Sequence, residues 1–291
     1  MHAFDDVNSR LAYATVSVPS ILGLERRLAQ RRTGEPAGVG ANPLPPDAPS
    51  DAIRFSAVRF RYPGQRDDVL AGLNGAGKTT LVKLLSRLYA PDAGCITVDA
   101  LDLRTLDASR WQRRVTAVFQ DFAQYQLSAR DNIGLGAPDL AHDGERLREA
   151  ARQAGALELI ESLPHGWDTI LSRRYSDGVD LSGGQWQRLA LARALFAAQG
   201  GARVLILDEP TASLDVRAEA DLYDRFLEIT RGLTTILISH RFSTVRRAER
   251  ICVLEHGRVV EQGSHEELLA TSGRYAGMFE LQAARFSEAS R

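Results

Sequence analysis

The sequence predicts an α/β fold with a mostly parallel sheet, a helical subdomain and a reduced antiparallel β part on the N-terminal side. Three observations carry this. The short apolar runs "CITVD", "VTAVF", "VLILD" and "TTILISH" alternate with helical or loop-like sequence, as in sheets whose strands are joined by crossover helices. A glycine-rich stretch runs directly into an amphipathic segment, the arrangement of a strand-to-helix turn. Residues 125 to 180 lack strong strand runs but contain "GERLREAARQAGALELIESL", which reads as a helical insert.

Composition narrows the classes. With 291 residues and 44% hydrophobic content the chain can bury a real core, which excludes a disordered chain. Its 36 basic and 37 acidic residues leave a formal charge of −1, so no global field favours nucleic acid or an anionic membrane surface. No run approaches the roughly 18 to 20 apolar residues that cross a bilayer, and no secretory leader opens the chain. Cys95 and Cys252 each sit in an apolar, strand-like run, which predicts buried thiols in a reducing compartment ahead of a disulfide or metal site.

In chain order, residues 6 to 32 predict a helix interrupted near Pro19 and ending in a basic stretch. Residues 33 to 51 are dense in Pro, Gly and Ala and read as a linker, so a globular domain is expected over 52 to 291. Ile53, Phe55, Val58, Phe60 and Tyr62 alternate roughly as in a half-buried strand. Over 79 to 89, Leu81, Leu84, Leu85 and Leu88 share one face of a helix. Near the end, "RICVLEHGRVVEQG" gives two strands around a tight turn at His256 and Gly257. Ser264 stands three residues before Glu267, the spacing of a capping box.

The chemistry sits at strand ends. Gly72-Leu73-Asn74-Gly75-Ala76-Gly77-Lys78-Thr79 matches G-x-x-x-x-G-K-[ST] at every fixed position. Its glycines let backbone N–H groups converge on phosphate oxygens, Lys78 neutralises the β and γ groups, and Thr79 offers a hydroxyl to Mg²⁺. The apolar run 204 to 208 ends in Asp208 and Glu209, the first placed for Mg²⁺ and the second to orient or deprotonate a water; a surface acidic pair is the plainer alternative. His240 closes a second apolar run, where ligands bind in such sheets, although a lone histidine there is more often structural.

With "LSGGQWQRLALARAL" at 181 to 195 the chain resembles the nucleotide-binding domains of ATP-binding cassette (ABC) transporters over roughly residues 52 to 285. The segments "QDFAQYQLSARDNIGLG" and "LISHRFSTVRRAERICVLEHGRVVEQGSHEELL" look like bacterial exporters that fuse the ATPase behind a membrane domain. The resemblance implies a P-loop NTPase with a RecA-like sheet and helical subdomain at about 125 to 180. It implies ATP and Mg²⁺ as cofactors, a second such domain facing this one head to tail as a homo- or heterodimer, and a transmembrane partner. No nucleic-acid partner is implied. The location implied is the cytoplasmic face of the membrane, with residues 1 to 32 as the last piece of a transmembrane domain whose remainder is absent.

Residue by residue, the resemblance implies that Gly72, Asn74, Gly75, Ala76, Gly77, Lys78, Thr79 and Thr80 hold the nucleotide and that Tyr62 stacks on adenine. Ser182, Gly183, Gly184 and Gln185 would complete the partner's ATP site; the residue types agree, since a serine and two glycines at a helix start present a hydroxyl and open N–H groups. Gln120 would sense Mg²⁺ and touch the membrane domain, Asp215 would communicate across the dimer, and His240 would reach the γ-phosphate. Lys78, Gln120, Glu209 and His240 form the catalytic set, and Thr79, Gln120 and Asp208 the metal set.

One departure matters. Relatives place a strand, a turn and a second strand before the phosphate loop, whereas here only Val69-Leu70-Ala71 separates Asp68 from Gly72, a shortfall of roughly twenty residues. Two competing functions follow: a damaged domain that pairs with an intact partner without turning over ATP, and a soluble, non-transport ABC ATPase. The shortfall favours the first; the exporter-like segments and near-neutral charge disfavour the second. Ala100 also replaces a glycine that the family places in a tight turn.

Overall fold

The computed structural model describes residues 43–62, 78–119, 122–208, 229–239 and 242–289. The expected helix at 6–32, most of the linker and the shortened approach to the phosphate loop lie outside these.

Three sheets form among the described residues. Strand β1 (Ile53–Arg59) pairs antiparallel with β2 (Ala93–Val98), which pairs antiparallel with β3 (Leu101–Asp102). The parallel sheet has β5 (Val204–Asp208) between β4 (Val115–Val118) and β6 (Thr234–Ile238). Strands β7 (Ile251–Glu255) and β8 (Arg258–Gly263) form a hairpin through His256 and Gly257, both at positive φ, 47° and 69°. Left-handed values at both central residues match the twist of flanking strands.

β5 is buried at every position, and its alternation feeds two cores. Leu205 and Leu207 point into a cluster built on α6 (Gly183–Gln199) and the helices packed against it, α3 (Ala129–Gly134) and α4 (Gly144–Gln153). Val204 and Ile206 point into the opposite cluster, with α1 (Lys78–Leu85), β2 and Trp111 of α2 (Ala108–Gln112). A parallel strand covered on both faces must be apolar throughout, which is why "VLIL" carries no alternation.

β1 shows why its apolar spacing switches from odd to even numbers. Ala57 takes φ 49° and the register shifts between Ser56 and Arg59, so one extra residue turns the later side chains over. Gly94 lies opposite: a Cβ there would sit 2.4 Å from the carbonyl oxygens of both Ser56 and Ala57. The bulge leaves Phe55 exposed and Phe60 buried.

Two local expectations are corrected. Helix α1 ends at Leu85, Arg87 takes φ 52°, and Leu88 is exposed rather than continuing the apolar face. Cys252 is exposed, because it alternates with buried Ile251 and Val253 on β7; Cys95 is half-buried, and both are free thiols.

Further along, α5 (Leu157–Glu161) precedes α6, α7 (Phe242–Val245) follows β6, and α8 (His265–Ala270) and α9 (Arg274–Ala289) end the chain. Ser264 and Glu267 form the capping box on α8. No helix among the described residues is long and apolar enough to cross a membrane.

Candidate functional site

At the carboxyl end of the parallel sheet, β5 delivers Asp208 and α1 delivers Lys78, Thr79 and Thr80. Thr79 Oγ1 donates to Asp208 Oδ2 at 3.3 Å. Thr79 is exposed while Asp208 is only 7% exposed, so a buried carboxylate and an open hydroxyl meet at one rim. The N-terminal N–H groups of α1, which have no intrahelical acceptors, add a positive end beside this pair. Trp111 fixes the other end of α1: its Nε1 donates to Leu85 O at 2.6 Å, and the indole is fully buried. The helix is thereby locked in place by a carbonyl that would otherwise lack a partner.

The register places further candidates by sequence. Ile238 of β6 pairs with Asp208, so Glu209 stands one residue past one member of the pair and His240 two past the other. Glu209 and His240, with Gly72, Asn74, Gly75, Ala76, Gly77, Gln120 and Asp215, lie outside the described residues.

Tyr62 packs beside α1. Its hydroxyl lies 3.2 Å from Thr80 Oγ1, its ring meets Phe60 and Tyr89 edge to face at 4.9 and 5.3 Å, and Lys83 Nζ stands 5.3 Å from its centroid. A base stacking on this ring competes with the Lys83 ammonium for a face.

A second group stands apart from the first in the sequence, at the start of α6. Ser182 is the N-cap: its Oγ accepts from Gln185 N at 3.4 Å, while its own N–H donates to Gln185 Oε1 at 2.8 Å. This capping box starts a 17-residue helix and leaves Ser182 and Gly183 exposed. A Cβ on Gly184 would meet nothing within 4 Å, so nothing among the described residues calls for glycine there.

Sequence reasoning missed the side chains that tie the loop after Gln120 to this helix. Asn132, fully buried, shares the two Nδ2 hydrogens among Tyr125 O, Leu127 O and Ser128 O, at 3.0, 3.2 and 3.0 Å. Arg193 of α6 donates through Nε to Asn132 O at 2.7 Å and through Nη2 to Asn132 Oδ1 at 3.0 Å, with its guanidinium 4.7 Å from the Tyr125 centroid. Burial lowers the Arg193 pKa from the ordinary guanidinium value. The Arg193–Asn132 bonds span 61 residues and follow no periodicity; the signal was a polar residue inside each helical run. Beside this loop lies an open cavity of about 520 Å³ lined by Gln124, Gln126, Arg173, Arg174, Asp180 and Trp186.

The donor chemistry at Thr79 and Asp208 suits a hard divalent cation. Mg²⁺ takes oxygen ligands, keeps several waters, and is held by one or two carboxylates together with substrate phosphates. A hydroxyl and a carboxylate 3.3 Å apart, facing a helix N-terminus, offer that set.

The sequence profile described as "ABC transporter" matches residues 57–212. The chain is 40% identical over 245 residues to the ATP-dependent lipid A-core flippase of Chromohalobacter salexigens, covering 79% of this chain and 41% of that protein. It is 43% identical over 241 residues to the cyclolysin secretion/processing ATP-binding protein CyaB of Bordetella pertussis, covering 82% and 32% respectively. Among solved structures it is similar to a bacterial Atm1-family ABC exporter with ATP bound, with a TM-score of 0.70 and 32% identity over 85% of this chain and 45% of that one. The chain spans less than half the length of these relatives.

Proposed function

The chain belongs to the ABC transporter family, and from that premise we propose that it binds and hydrolyses Mg-ATP to power export through a transmembrane partner. The observation that carries this reading is the Thr79–Asp208 contact, which joins the helix after the phosphate loop to the strand before Glu209. The names of its relatives, a flippase and a toxin-secretion ATP-binding protein, support export as the use of the ATP.

In this reading Gly72, Asn74, Gly75, Ala76 and Gly77 present the loop to the phosphates, and Lys78 and Thr80 hold them from the first turn of α1. Thr79 and Asp208 would hold Mg²⁺, with Gln120 completing the set, and the cation would supply positive charge against the phosphates. Glu209 orients a water in line with the γ-phosphorus and takes its proton; the new P–O bond forms as the bond to the β,γ-bridging oxygen breaks, leaving ADP and phosphate. His240 stabilises the γ-phosphoryl oxygens, and Tyr62 faces the base.

Ser182, Gly183, Gly184 and Gln185 close over the γ-phosphate of a second domain, homologous or identical, with Asp215 at the dimer contact. The exposed N-terminus of α6 and the open space at Gly184 support that role. The Gln120 loop and the polar cavity beside it face the transmembrane partner, at the cytoplasmic side of the membrane.

A second reading, a partner subunit that does not itself turn over ATP, has one observation in its favour, the shortened approach to Gly72 in the sequence. Calorimetric titration of Mg-ATP, with Lys78→Ala as the blank, separates the two. Micromolar binding lost in Lys78→Ala, with steady turnover abolished by Glu209→Gln, supports the ATPase; a folded chain that binds no ATP refutes it. Turnover unchanged in Glu209→Gln would remove Glu209 from the reaction.

A further inference from the structure

Helix α7 begins at Phe242, two residues beyond His240, and the first N–H groups of any helix lack intrahelical acceptors. The Phe242 N–H donates to Gln282 Oε1 at 3.2 Å, an acceptor 40 residues downstream on α9. The Phe242 ring is held by the same helix: it meets Tyr275 at 5.1 Å and 68°, and Phe279 at 5.4 Å and 85°.

α9 is itself anchored. Tyr275 is 2% exposed, its hydroxyl lies 2.9 Å from His265 Nδ1 on α8, and its N–H donates to Glu261 Oε2 at 2.9 Å. Arg274 pairs with Glu255 of the hairpin at 2.9 Å. On the other side of His240, Ile238 is paired with Asp208 in the parallel ladder. Only residues 239 to 241 lie between these two fixed points in the sequence, so His240 stands two residues from each.

We infer that Gln282 is a positioning residue for His240, holding Phe242, two residues further on, from the C-terminal helix pair. The inference rests on the proposed role of His240 at the γ-phosphate. It makes the phosphate end of the site depend on the docking of α8 and α9, elements that carry none of the candidate site residues.

The test uses the full chain with Gln282→Ala, Gln282→Glu, His240→Ala and the Gln282→Ala/His240→Ala double variant. Loss of the acceptor should lower kcat about tenfold, the scale of a sub-ångström to ångström misplacement, while KM for ATP moves less than about twofold. Gln282→Glu keeps the acceptor and should retain most of the rate. The double variant should be no slower than His240→Ala alone, because both changes remove one function. Native turnover in Gln282→Ala, or multiplicative losses in the double variant, would overturn the inference, and so would normal turnover in His240→Ala. If the wild-type chain turned over no ATP, the proposed function would fall instead. Amide exchange over residues 239–243 still decides the tether in that case: faster exchange in Gln282→Ala but not in Gln282→Glu supports it, and unchanged exchange refutes it.

Discussion

The Thr79 hydroxyl and the Asp208 carboxylate, 129 residues apart in the chain, meet at 3.3 Å where α1 begins and β5 ends. If this pair holds Mg²⁺, Asp208→Asn should remove the metal-dependent part of ATP affinity and leave the metal-free part intact. Titrating ATP with Mg²⁺ and then with EDTA should show tighter binding with the metal in the wild type and near-equal affinities in Asp208→Asn. An unchanged metal effect in the variant would exclude Asp208 from the metal site.

Gly184 separates the requirements of this chain from those of a partner. Alanine fits the space and has the higher helix propensity, so Gly184→Ala should leave thermal stability unchanged or raise it by up to about 1 kcal/mol. Under the head-to-tail reading the added methyl faces the partner's phosphate, and ATP turnover should fall at least tenfold. Full activity with unchanged stability would show that no phosphate approaches there.

Ala100 is a local stability defect. With Asp99 at φ 49° and Ala100 at φ 68°, the β2–β3 turn has two left-handed residues, where an Asp-Gly pair is favoured. Left-handed backbone costs alanine about 1–2 kcal/mol, partly offset by the greater freedom of glycine in the unfolded chain. Ala100→Gly should therefore stabilise by about 0.5–1 kcal/mol, read as a Tm rise of about 1–4 °C. A fall in Tm would contradict the strain.

Asp99 should make stability depend on acid. Burial works to raise its pKa, but the N–H groups of Asp51, Ser50 and Ala52 outweigh it and hold the carboxyl below its ordinary value. A depressed folded pKa contributes stability that is fully present above the unfolded value, about 3.9, and is lost as pH falls through the lower folded value. Asp99→Asn, which still tolerates positive φ, should melt below the wild type at pH 6, with the gap closing below about pH 4. A gap independent of pH would assign the effect to geometry rather than charge.

Much was legible because it is local or periodic. The uninterrupted "VLIL" marks a strand covered on both faces, and "SHEE" contains its own cap; the bulge that shifts the apolar spacing of β1 emerged only from the pairing register. Leu88 and Cys252 were misread for a shared reason: apolar character indicates what a residue can do in an element, not where the element ends or which of its faces is covered.

By itself the sequence determined the strand-and-helix alternation, the phosphate-loop and signature motifs, and through them the family, because periodic burial and contiguous motifs are written in neighbouring residues. Only the tertiary structure decided that Thr79 reaches Asp208, that Asn132 and Arg193 bind the loop after Gln120 to α6, and that Gln282 caps the helix behind His240. The Phe242–Gln282, Asn132–Arg193 and Thr79–Asp208 bonds join groups 40, 61 and 129 residues apart. A directional hydrogen bond at that separation depends on how packed layers bring two backbones together, and no local pattern records it.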